Sequence, residues 1–99
     1  MIKAIVGYKL KNGADFDPVL RKLRSQAMQF PGFIGAENLA SDKDYHVVAL
    51  VSTWENIEAW RQWEKSKIRQ DILRQAALLL VDEPRVTTYT IIPTIRWFG

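Results

Sequence analysis

The chain contains no cysteine. Disulfide bridges, thiolate nucleophiles and cysteine-ligated metal centres are therefore excluded as sources of stability or chemistry. Histidine is nearly as scarce, His46 being the only one in 99 residues. A metal site would have to rest on carboxylates, and Asp and Glu form no cluster at ligand spacing, so no metal is expected. Long apolar runs are missing too. The longest, from Ala76 to Val81, falls far short of the ~20 residues that cross a bilayer, so no membrane association is expected. Met1-Ile2-Lys3-Ala4 passes directly into an alternating pattern without an apolar leader, which together with the missing cysteine points to a cytoplasmic protein. The five glycines are dispersed, leaving no glycine-rich phosphate loop.

What is present is ordinary for one soluble globular domain spanning residues 1–99: 47% hydrophobic and 25% charged residues. The four tryptophans are unusual in so short a chain and require a core or an interface to receive them. The net charge is +3. Its densest basic group, Arg21, Lys22 and Arg24, falls on the polar side of a helix and is not interleaved with aromatics, so no nucleic-acid partner is expected.

Periodicity orders the chain. Ile2 to Leu10 alternates as a strand, with Ile2, Ala4, Val6, Tyr8 and Leu10 on one face. Asn12-Gly13 supplies a turn, Asp15 or Asp17 a helix cap, and Pro18 suits a first helical turn. Phe16, Val19, Leu20, Leu23, Ala27 and Met28 then recur at helical spacing. Pro31-Gly32 ends that helix. Phe33 to Ala40 reads as a second strand, Ser41 to Asp44 as a hairpin turn, and Tyr45 to Trp54 as a third strand. That strand is continuously apolar from Val47 to Val51, as if buried on both faces. One helical layer covers only one face, so a second subunit is the simplest cover for the other. Glu55 to Lys65 forms the next helix. Ser66 breaks it and caps another, whose stripe is Ile68, Ile72, Leu73, Ala76, Leu79 and Leu80. Arg85 to Ile92 is a fourth strand, and the aromatic tail Pro93 to Gly99 suits docking on a partner. The order β-α-β-β-α(α)-β defines an α+β, ferredoxin-like fold with a four-stranded antiparallel sheet.

Phe30-Pro31-Gly32-Phe33-Ile34-Gly35, the strand ending Ser52-Thr53-Trp54-Glu55, and the stretch Ala59-Trp60-Arg61-Gln62-Trp63-Glu64-Lys65-Ser66 together resemble the antibiotic biosynthesis monooxygenase (ABM) family. Arg85 to Thr90 is similar to its last strand. The resemblance implies a dimeric α+β barrel, a homodimer through the sheet face, with a pocket in each subunit between helices and sheet. It also implies a choice among chemistries. The heme-degrading branch has an asparagine on the first strand, a tryptophan and a later histidine. Tyr8 stands at the asparagine position, Trp63 at the tryptophan and Leu73 at the histidine. Leucine cannot ligate iron, so heme degradation is not expected.

Two readings then stand side by side. One is a cofactor-independent monooxygenase for a small aromatic or quinol-like substrate, requiring no cofactor, with Tyr8, Trp60, Trp63 and Leu73 as pocket residues. The other is a non-catalytic module that binds or senses a small apolar or aromatic ligand in the same place. For the two tryptophans and Tyr8, core packing is the commoner outcome for aromatics of this spacing. His46 is a weaker candidate, read first as a strand-end residue. Arg69 is another: it could meet an anionic group, but its placement reads first as solvated.

Overall fold

The computed structural model describes residues 1–93. It contains four strands, β1 (Ile2–Lys9), β2 (Phe33–Ala40), β3 (Val47–Trp54) and β4 (Arg85–Thr90), and three helices, α1 (Asp17–Ala27), α2 (Ile57–Lys65) and α3 (Lys67–Ala76). The strands form one antiparallel sheet in the order β2-β3-β1-β4, with the helices on one face. This is the expected ferredoxin-like arrangement. No helix among the described residues is long and apolar enough to cross a membrane. The docking role expected for the C-terminal tail lies, from Thr94 onward, outside the described residues.

Alternation along β1 decides the layering. Ile2, Ala4, Val6 and Tyr8 are buried under the helices, and the register places Leu50, Ser52 and Trp54 of β3 beside them. Strand neighbours two residues apart share a face, and Trp54 uses this: its indole N–H donates to Ser52 Oγ at 2.9 Å. That bond accounts for a hydroxyl in the core. The inward stripe of α1 is Leu20, Leu23 and Ala27, with Phe16 just ahead of it. Arg21, Lys22 and Arg24 are exposed on its other side.

Several boundaries differ from the sequence reading, each for a local reason. β3 starts at Val47, not Tyr45, because Asp44 Oδ1 accepts from His46 N at 2.9 Å and its carbonyl from Val47 N at 3.0 Å, extending the turn. Helix α1 has no side-chain cap: Phe16 holds the cap position, while Asp15 Oδ1 only accepts from Asp17 N. Helix α2 begins at Ile57 because Asn56 caps it, accepting from Ala59 N at 2.9 Å. β1 stops at Lys9, with Leu10 paired to Leu80 in a single bridge, and β4 stops at Thr90. α3 ends at Ala76 in a 3₁₀ turn over Ala77–Leu79, so the helical stripe does not reach Leu80. Met28, expected inside, is exposed at the end of α1.

β3 is not buried on both faces within one chain. Its helix face is closed, whereas Ala49 and Val51 are half-buried and Val47 is exposed on the other. Ile5, Leu39 and Tyr89 share that open face by register. At the opposite end, Gly32 adopts φ +86°, a left-handed conformation suited to glycine. A Cβ there would stand 2.5 Å from Ala59 Cβ, so the turn and α2 can approach only because the side chain is missing.

Candidate functional site

The helix-facing side of the sheet gathers the aromatics. Tyr8, the last inward residue of β1, is buried with its ring 4.9 Å from that of Phe16. Trp60 and Trp63 lie on the inward face of α2, each 2% exposed. Trp60 meets fully buried Trp54 edge-on at 6.0 Å, and Trp63 meets Phe30 at 5.1 Å. Such tilted contacts bring a positive ring edge to a negative face.

A single hydroxyl sets the next element. Ser66 Oγ donates to Trp63 O at 2.7 Å and accepts from Arg69 N at 3.2 Å. It therefore closes α2 and opens α3 at once, which places Arg69 in the first turn of α3 facing the sheet. The sequence reading of Arg69 as solvated is overturned: the residue is 7% exposed. Its phase explains this. Arg69, Ile72 and Ala76 form the buried stripe of α3, at i, i+3 and i+7. Ile68, assigned to that stripe from sequence, is turned outward and 45% exposed.

The guanidinium lies over the Trp60 ring, Cζ 5.5 Å from its centroid, a cation–π contact. Nη1 donates to Glu64 O at 3.4 Å, and among the described residues Arg69 belongs to no ion pair. Burial lowers its pKa, while the nearby Tyr8 and Glu64 act to raise it. Burial pushes the Tyr8 phenol up to about 12, with the Arg69 charge pulling the other way. The two groups therefore feel each other. Neither the Tyr8 hydroxyl nor the other guanidinium N–H groups have a hydrogen-bond partner among the described residues, yet no enclosed side-chain polar atom is unpartnered.

The other sequence candidates fall elsewhere. Leu73 is half-buried and lines a hollow of ≈ 250 Å³ with Ala77, Leu80 and Pro84. Tyr8 borders a different hollow of ≈ 240 Å³ with Gly7, Lys9, Val47 and Arg85. Trp60 and Trp63 line neither of these. The structure thus sets Arg69 over Trp60, with Tyr8 near enough to feel its charge, places Trp63 on the same helix as Trp60, and leaves Leu73 apart. His46 is exposed, with Nδ1 3.1 Å from Asp44 Oδ1. The hydrogen bond from His46 N, followed by that from its ring, lowers the Asp44 carboxyl. No group of three or more potential metal-ligating side chains occurs among the described residues. Arg69 was legible in principle, three residues after a capping serine and in phase with Ile72 and Ala76. A charged residue type concealed the phase.

The sequence profile of the antibiotic biosynthesis monooxygenase family matches residues 1–75, a span holding the entire cluster. The chain belongs to the antibiotic biosynthesis monooxygenase family. No functionally curated protein matches it. Among solved structures, an ABM homologue from Nitrosomonas europaea superposes with a TM-score of 0.83 at 16% identity, covering 94% of this chain and 100% of that one. One from Deinococcus radiodurans gives 0.85 at 14% identity over 100% of both chains. SnoaB, a cofactor-independent oxygenase from Streptomyces nogalater, gives 0.82 at 14% identity over 95% of both. At these identities the likeness is one of fold, and the chemistry must be argued from the residues of this ABM protein.

Proposed function

We propose that this ABM protein is a cofactor-independent monooxygenase acting on a small phenolic or quinol-like aromatic at the Tyr8, Arg69 and Trp60 cluster between helices and sheet. The observation that carries this reading is a guanidinium laid over an aromatic wall, Arg69 on Trp60, with the buried Tyr8 phenol near enough to feel its charge. Family membership and the fold shared with SnoaB support it. The reaction needs no external reductant. A phenol with a free ring C–H takes one oxygen atom of O₂ into a new C–O bond. The other oxygen leaves as water with the hydroxyl and ring hydrogens, and the four electrons come from the substrate as it becomes a quinone. The protein has to supply an apolar site, orientation and charge stabilisation. Tyr8, kept neutral, is suited to donate a hydrogen bond to a substrate oxygen.

The same proposal includes a homodimer through the open sheet face. Ile5, Leu39, Ala49, Val51 and Tyr89 lie there outside the helix layer, and single-sided sheets of this apolarity need a cover. Oxygen uptake with a panel of phenols and hydroquinones tests the chemistry, with Tyr8→Phe expected to lower kcat by roughly tenfold or more. Folded protein inert across a broad panel would remove the oxygenase reading. A non-catalytic ligand-binding role is the second reading. It is favoured by one observation: among the described residues, no carboxylate or imidazole is hydrogen-bonded to Tyr8 as a base.

A further inference from the structure

The outer side of the helix layer carries an open groove between α1 and α3. Two hollows of ≈ 230 and ≈ 340 Å³ lie end to end along it and share Lys22, Ile72 and Gln75. Pro18 and Val19 line the end nearer Leu79, and Gln26 lines the end nearer Ile68, so the helices that wall the groove run antiparallel. The α3 side of the floor is Ile68, Ile72, Ala76 and, in the 3₁₀ turn, Leu79. Those residues stand at i, i+4, i+8 and i+11, one continuous helical stripe. From Ile68 to Leu79 it spans roughly 16 Å, about three helical turns. Ile68, 45% exposed against its residue type, is the open end of this stripe. An apolar side chain exposed singly needs no explanation, whereas a stripe lining a groove marks a contact surface. The groove shares no residue with the arrangement of Tyr8, Trp60 and Arg69.

Charge decides what the groove can accept. The chain has 14 basic and 11 acidic residues. Helices α1 and α3 hold six of the basic residues and only two of the acidic, Asp17 and Asp71. The positive excess of the whole chain therefore lies in the two helices that wall the groove. Lys22, which lines both hollows, pairs with no carboxylate among the described residues. Asp71, the one acid of the lining, is already held by Lys67 at 3.0 Å and by Arg74 at 2.8 Å. A second copy of this face would set cation against cation, which disfavours self-association here. We propose that the α1–α3 groove docks an acidic amphipathic helix of a partner protein. Its apolar face lies on Ile68, Ile72 and Leu79, and its carboxylates meet Lys22 on one wall and Lys67 and Arg74 on the other. Recognition of a helix in a groove works through apolar anchors spaced one turn apart, with flanking charges fixing the partner.

The test uses the whole purified protein and two stapled, fluorescein-labelled helical peptides of about 15 residues. Both carry leucines at i, i+4, i+7 and i+11; one is flanked by glutamates and the other by lysines at the same positions. Fluorescence anisotropy at low ionic strength should show the glutamate peptide binding at least about tenfold more tightly, with the gap closing as salt is raised. Lys22→Glu and Ile68→Glu, both at exposed positions, should each weaken it roughly tenfold or more. Arg24→Glu makes the same charge change on the opposite side of α1 and should weaken it less than about threefold. Equal affinity for the two peptides would overturn the proposal, as would no binding of the glutamate peptide by the wild-type protein. Equal losses in Arg24→Glu and Lys22→Glu would mean bulk attraction without a groove and would also overturn it. Phosphatidylglycerol vesicles retained where the glutamate peptide is not would overturn it in favour of a lipid surface. Self-association removed by Ile68→Glu in sedimentation equilibrium would overturn it in favour of a second copy.

Discussion

Replacing Arg69 by methionine should stabilise the fold. Methionine keeps an unbranched stem of comparable reach and removes the charge. The guanidinium contributes a cation–π contact with Trp60, about 0.5–2 kcal/mol. Its one hydrogen bond, at 3.4 Å, is at the long limit and adds about 1 kcal/mol or less. Against these stands the desolvation of an ion at 7% exposure, several kcal/mol for a fully enclosed charge and less here, since part of the guanidinium reaches solvent. The balance favours Arg69→Met by about 1 kcal/mol, a rise of roughly 4–8 °C in Tm for a domain of this size. Urea unfolding followed by circular dichroism measures it, at fixed protein concentration because association would shift the midpoint. A midpoint that rises with unchanged slope is the expected result. A loss of more than about 1 kcal/mol would refute the reasoning. It would show a guanidinium already satisfied by its own fold.

Three further outcomes follow from the geometry. The folded pKa of Tyr8 is pushed from 10.0 up to about 12, so between those values the unfolded chain has lost a proton that the folded chain keeps. Stability should therefore fall as pH rises through that window, by about 3 kcal/mol at its top. Tyr8→Phe should lack this loss in urea titrations run across the window. Gly32→Ala should cost about 1–2 kcal/mol for the left-handed backbone alone, and more because its Cβ would meet Ala59 at 2.5 Å. Thermal melts read that loss, and a neutral result would mean that the turn and α2 separate freely. Val51→Lys places a charge at the centre of the open sheet face and should yield monomer in sedimentation equilibrium at micromolar concentration, against dimer for the parent chain. A parent chain already monomeric there would sink the sheet-face interface.

Local pattern by itself determined the element order, the inward face of β1 and the double role of Ser66. These depend on spacing, turn chemistry and capping, which act over a few residues. The resemblance carried by Pro31-Gly32, Trp54 and the stretch from Trp60 to Ser66 was likewise legible. Tertiary structure decided the rest. Ile68 and Arg69 are adjacent, and residue type alone would bury the isoleucine and expose the arginine. The chain does the opposite because Ser66 starts the helix at a phase that lays Arg69 over Trp60. Tyr8 lies on β1, Trp60 on α2 and Arg69 on α3. Their meeting is a property of three elements packed together, which no periodicity within one of them records. The arrangement therefore emerged only when the helix layer closed on the sheet and buried a cation that pairs with no carboxylate among the described residues.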